Sequence, residues 1–264
     1  MRILNFLFSR SKQEQDKPIR DKLKTRKDFE RVLAEDLDIM ETTKARMDTA
    51  KNINLYMYRS LSYSYILILQ SKYSVDAKID ELRDIYIKSM YYFLQAFNKR
   101  NPIYADILNY VSLGVLLNIP DNNFRQLIDY VKQMDKQAKP SGWTPDLLLW
   151  FMLNSRLKEQ EKLKYAETLA YPRLYNGLYK VIQAPNAAAA KDALNKYLDR
   201  WYNLNSNAPW YNSHLKDNSY RGYWAWEIAA VAKIMHIDDS DLKDNQYYPY
   251  DMVHWEDNET TAKE

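Results

Sequence analysis

The chain has 264 residues, enough for one large domain or two ordinary ones, and its 46% apolar and 28% charged residues are those of a globular protein. It contains no cysteine and only four glycines, which excludes disulfides, zinc–thiolate centres, thiol nucleophiles and a glycine-rich phosphate loop. The net charge of +3 conceals ends of opposite sign: residues 1–27 hold nine basic and three acidic groups, residues 237–264 nine acidic and two basic.

In chain order, residues 1–24 are predicted to form a flexible basic arm, because charges alternate from 13 to 24 without apolar spacing. The apolar run at 3–8 is shorter than a signal-peptide core, so a cytoplasmic location is expected. No later run approaches the roughly twenty apolar residues that span a bilayer, so no membrane partner is expected. A long amphipathic helix follows from 28, on Phe29, Val32, Leu33, Leu37, Ile39, Met40 and Met47. A second covers 53–70, with Leu55, Tyr58, Leu61, Tyr65 and Ile68 at helical steps. Ser74 or Asp76 is expected to cap a third, whose stripe is Ile79, Leu82, Ile85, Tyr86, Met90 and Phe93.

Residues 104–118 read as a largely buried fourth helix, and 124–134 as a short amphipathic one. Breaks at Asn118-Ile119-Pro120-Asp121 and Lys139-Pro140-Ser141-Gly142 bracket a domain boundary. This gives an N-terminal helical domain at 25–135, a C-terminal helical domain at 136–256 and an acidic tail at 257–264. Thr144-Pro145 is expected to open an apolar helix through Leu147, Trp150 and Leu153. Helices at 159–169 and 171–182 precede one capped by Asn186, and 203–212 reads as a loop. No period-two alternation competes, so the fold class is all-α: an antiparallel N-terminal bundle packed on a C-terminal helical domain with a central buried helix.

That central helix is predicted between Tyr223 and Met235, where only Glu227 and Lys233 are charged while Trp224, Trp226, Ile228, Val231 and Ile234 surround the helical period. Glu227 on such a helix needs a partner, and an arginine such as Arg173 or Arg200 is the expected one. After Asp238, Asp239, Ser240 and Asp241, the run Tyr247-Tyr248-Pro249-Tyr250-Asp251 is expected to leave the core.

The helix Gly222-Tyr223-Trp224-x-Trp226-Glu227-x-Ala229-Ala230-x-Ala232-Lys233, then Asp238-Asp239-Ser240-x-Leu242, then Tyr247 to Asp251, resembles the C-terminal domain of immunity proteins that neutralise polymorphic nuclease effector (PoNe) toxins. The resemblance implies a non-catalytic antidote that takes no cofactor. Its partner would be a cognate DNA-cleaving toxin, delivered by type VI or similar secretion and blocked by occlusion. Within the motifs, Gly222, Trp224, Trp226 and Glu227 are expected to be structural. Asp238, Asp239, Asp241, Tyr247, Tyr248, Tyr250 and Asp251 are expected to contact the toxin, because acids pair with the cations a nuclease presents to phosphate and tyrosines give contact area at little entropy cost. A helix exit followed by a turn is the plain alternative.

Two other functions are weighed. Nucleic-acid binding is prompted by the basic arm and the 23 tyrosines, but the positive charge follows no single helix and the acidic end repels phosphate. A metal-dependent hydrolase rests only on His214, His236 and His254 with nearby aspartates, which lack ligand spacing. No metal and no direct nucleic-acid partner are therefore expected.

Overall fold

The computed structural model describes residues 18–96, 103–138, 141–216 and 218–261, and among these it contains ten α-helices and no strand. The chain divides into two compact units: residues up to 97 together with Asn212–Tyr223, and residues 98–211 together with those from Trp224 onward. The boundary expected at 135/136 is a division along the sequence. In space, the fourth and fifth helices fall in the second unit.

The first unit holds α1 (Arg26–Thr49), α2 (Leu55–Ser74) and α3 (Ile79–Ala96). A reciprocal box starts α1: Thr25 Oγ1 accepts from the Asp28 N–H, and Asp28 Oδ2 accepts from the Thr25 N–H at 3.0 Å. Asn54 caps α2 by accepting from Met57 N–H at 3.0 Å. Short connections force the three helices to alternate direction. Thus Ser62, early in α2, accepts from Ser89 Oγ late in α3, while Lys72, late in α2, pairs with Glu81 early in α3. Leu33, Met40, Leu61, Tyr65 and Ile68 form one apolar cluster between them.

Asn212–Tyr223 completes this unit from far along the chain. Arg221 meets Asp36 of α1 with both Nε and Nη2, at 2.9 and 2.8 Å, and both residues are buried. Ser74 Oγ donates to the Arg221 carbonyl at 2.9 Å, Tyr220 packs on Phe29 and donates to Asp21, and Gly222 takes a left-handed φ of 107°.

In the second unit are α4 (Tyr104–Leu116), α5 (Asp121–Gln133), a π-helical turn at Met134–Ala138, α6 (Leu147–Asn154), α7 (Pro172–Ile182), α8 (Ala187–Leu204), α9 (Trp226–Met235) and α10 (Tyr250–Thr261). The expected central helix is α9, which packs against α4, α6, α7, α8 and α10. Its residues Ile228 to Ala232 are all buried, and three of them are alanines, so neighbouring helices approach closely.

Several local expectations are corrected. Ser74 ends α2 and Asp76 adopts φ 77°, so neither caps α3. Asp146, accepting from Leu149 N–H at 2.9 Å, caps α6 in place of Thr144-Pro145. The helix expected at 159–169 is only a 3-10 turn at Glu159–Glu161, because Asn154 bonds both the N–H and the C=O of Leu163 and holds that stretch open. Trp224 lies before α9, where Trp226 N–H turns back to the Trp224 carbonyl at 3.0 Å and Ala225 N–H reaches the Tyr247 carbonyl at 2.9 Å. Nor does the chain leave the core after Tyr247: Tyr248, Met252 and Trp255 are buried and α10 packs on α9.

The basic arm is fixed where it is described. Arg20 donates to the Tyr73 and Ala77 carbonyls at 3.0 Å, lies over the Tyr73 ring and pairs with Asp76, while Asp21 is buried. Residues 1–17 and the last three of the acidic tail lie outside the described residues.

Candidate functional site

The acidic turn grows out of the end of α9. His236 closes that helix in the left-handed conformation, which favours a tight exit, and Ile237 anchors the chain before the acids begin. Asp238 accepts from Ser240 N–H and Oγ, an arrangement that closes the turn locally. From α8, Lys191 reaches both outer acids, 2.9 Å from Asp238 and 3.0 Å from Asp241, and Asn195 donates to Asp241 at 2.9 Å. These contacts hold both carboxyls below the usual range and raise the Lys191 ammonium.

Asp239 behaves differently from its neighbours. It is buried, accepts from Tyr248 Oη at 2.6 Å, and lies 2.7 Å from His254 Nε2 on α10. The expectation that Asp239 and Tyr248 face outward is therefore corrected: they bond to each other in the interior and tie the turn to α10. The Tyr250 ring lies against that of His254, tilted by 34° with centroids 4.3 Å apart, and Asp251 is exposed in the first turn of α10. Tyr247 is half-buried, its ring parallel to that of Tyr202 at 5.3 Å, with Trp201 beside it. The outward set is thus Asp238, Asp241 and Asp251, flanked by the part-exposed Tyr247 and Tyr250.

Trp224 and Trp226 are both buried. Glu227 finds no arginine. Its Oε1 accepts instead from Trp201 Nε1 at 2.7 Å, and burial pushes its carboxyl up to about 7. An indole serves where a guanidinium was expected because α8, carrying Trp201, packs on α9 at this level. Lys233, on the same helix, pairs with Glu256 and donates to the Leu116 carbonyl at 3.0 Å.

No group of three or more acidic or histidine side chains among the described residues is placed to hold a metal ion. His214 lies 3.0 Å from the Tyr223 hydroxyl, His236 is the exposed cap of α9, and His254 is held by Asp239. Sequence reasoning missed Lys191, Asn195 and Trp201 as partners of these acids, and weighed His254 only as a metal ligand. None lies in the acidic motif, and only the fact that α8 and α10 flank α9 brings them to it.

Residues 11–129 match the family described as PoNe immunity protein (PoNi), N-terminal, and residues 144–252 match PoNe immunity proteins (PoNi), C-terminal. Among curated protein sequences none matches the chain. The crystal structure of protein PA2201 from Pseudomonas aeruginosa shares the fold, at 18% identity over 96% of this chain and 93% of that one, with a TM-score of 0.69. With both halves matched in order, the chain belongs to the PoNe immunity protein (PoNi) family.

Proposed function

We propose that the protein binds a cognate PoNe-type DNase toxin and neutralises it by covering its DNA-binding surface, in the cytoplasm of the cell that makes both. The match of both halves to the immunity family carries this reading. No helix among the described residues is long and apolar enough to cross a membrane, which is compatible with a cytoplasmic site of action. The protein contributes no chemical step. Delivery of the toxin by type VI or similar secretion follows the same family reading.

The contact surface we assign is the outward edge of the acidic turn: Asp238, Asp241 and Asp251 with Tyr247 and Tyr250. Lys191 neutralises only part of it, since one ammonium serves two carboxylates. Exposed ion pairs of this kind contribute little to folding, so a partner's arginine displaces Lys191 at small cost. Asp239 supports the turn from inside.

Co-expression tests the function. Cells producing the cognate nuclease survive with this protein and die with an unrelated immunity protein, and the two purified proteins form a complex. Survival without a complex, or no protection at all, refutes occlusion by direct binding.

A further inference from the structure

A second feature of the unit built around α9 is formed by residues outside the assigned turn. Tyr104, Gly142, Trp143, Thr144, Ala170 and Tyr171 line a cleft of about 190 Å³. Three rings wall it: the Tyr104 centroid lies 4.5 Å from Tyr171 and 6.4 Å from Trp143. Tyr171, 41% exposed, stands at a solvent-reachable edge.

Behind two of these rings are carboxylates. Tyr104 Oη donates to Asp146 Oδ1 at 2.9 Å, and Trp143 Nε1 donates to Asp135 Oδ1 at 2.7 Å. Both aspartates are buried, and among the described residues neither forms an ion pair with a lysine, arginine or histidine. Neutral donors satisfy them instead: Leu149 and Ala170 N–H for Asp146, and Trp150 Nε1 at 2.6 Å for Asp135. These hydrogen bonds offset only part of the carboxylates' desolvation, since burial still holds both above the ordinary carboxylate value, and they bring no opposite charge.

Two consequences follow for a guest. An O–H or N–H that donates to an anion pushes electron density onto its own ring, which deepens the negative face presented to the cleft. The uncompensated charges one ring away add a field of the same sign in a medium that screens poorly. Anions are repelled, neutral groups gain only contact area, and a cation gains from both terms. Size narrows the guest further, because sites for whole small molecules begin at roughly 300 Å³. The cleft has room for one side-chain head group.

We propose that this cleft receives a single arginine or lysine side chain from a bound protein partner, its cationic head seated among Tyr104, Trp143 and Tyr171. That the partner is the toxin rests on the immunity reading; that the guest is a cation does not. A nuclease side chain seated here is withdrawn from phosphate.

The test uses the full chain with capped amino acids as probes. N-acetyl-arginine amide and N-acetyl-lysine amide are titrated while the indole N–H resonance of Trp143, assigned by its loss in Trp143→Phe, is followed. The cationic amides shift it saturably at about millimolar concentration. The neutral citrulline and norleucine amides bind about tenfold more weakly, and Tyr171→Leu weakens the cationic amides about tenfold with an unchanged melting temperature. Equal binding of charged and neutral amides, or no saturable shift with any of them, overturns the proposal. The toxin complex forms a separate arm. Cation binding by the cleft with toxin affinity indifferent to Tyr171→Leu removes the toxin as the partner. Cation binding with no toxin complex in the parent protein refutes the immunity reading and leaves the cleft's chemistry standing.

Discussion

Trp201 donates its indole N–H to Glu227 across 2.7 Å, and among the described residues no cation pairs with that carboxylate. Burial therefore outweighs the hydrogen bonds that favour the charged form, and the group titrates at about 7 instead of 4.5. The folded protein holds a proton over this range that the unfolded chain has released. Stability from this site is thus fully present below about pH 4.5 and is lost as pH rises to 7, by roughly 3 kcal/mol. Glu227→Gln keeps an acceptor for Trp201 without the charge. Urea unfolding should show parent and variant close at pH 4.5 and the variant ahead by up to about 3 kcal/mol at pH 8. Parallel pH curves refute this account of Glu227.

The buried Arg221–Asp36 pair gives a second expectation. Arg221→Leu leaves Asp36 charged and enclosed, so it should cost about 3–5 kcal/mol. Replacing both partners, Arg221→Met with Asp36→Leu, removes the stranded charge and should recover most of that loss. A double variant as unstable as the single one shows that the site needs the shape of the pair and not its charge balance.

A third concerns α7 and α8. A Cβ added at Gly177 would sit 2.5 Å from Tyr197 Cδ2, a ring held in place by its hydroxyl bond to the Leu174 carbonyl at 2.9 Å. Gly177→Ala should gain helix propensity yet lose about 1–3 kcal/mol net, because overpacking outweighs the propensity term. Thermal melts decide the sign, and a stabilised variant means that α7 and α8 separate freely.

The acidic turn supplies the last. Asp238→Asn with Asp241→Asn should slow toxin association and reduce its salt dependence while leaving the fold intact, since both side chains are exposed. Lys191→Met should act in the opposite direction by baring the two acids. Asp239→Ala serves as the contrast: it strands the Tyr248 hydroxyl and should lower stability by about 1–3 kcal/mol. Unchanged association rates across a salt series in the first two variants move the contact surface elsewhere.

How much of this was legible in sequence depended on the range of the interaction. The stripe Phe29, Val32, Leu33 and Met40 and the cap at Asn186 are local patterns, and both appear in the structure where periodicity places them. Central α9 was legible for the same reason, since a helix apolar on every side has to be enclosed. The contacts that define the candidate site were not. Lys191 meets Asp238 across 47 residues and Trp201 meets Glu227 across 26, and no local pattern encodes which helix lies beside which. Asp239 looked like its neighbours in composition, and only the return of α10 made it interior. The open stretch after α6 misled for a further reason: its residues favour helix, but both hydrogen bonds of Asn154 to Leu163 override that propensity.

The return of Asn212–Tyr223 to the first helices also sets a timetable for synthesis. Asp36 leaves the ribosome long before its arginine: at about 5–20 residues per second the 185 positions between them take roughly 9–37 seconds. Throughout that interval the nascent three-helix bundle carries a carboxylate whose partner has not been made, and it is exposed to chaperones and proteases in that state. A growing chain therefore completes its first unit only after most of its second has been translated, and an antidote halted partway through synthesis lacks a finished unit at its N-terminal end.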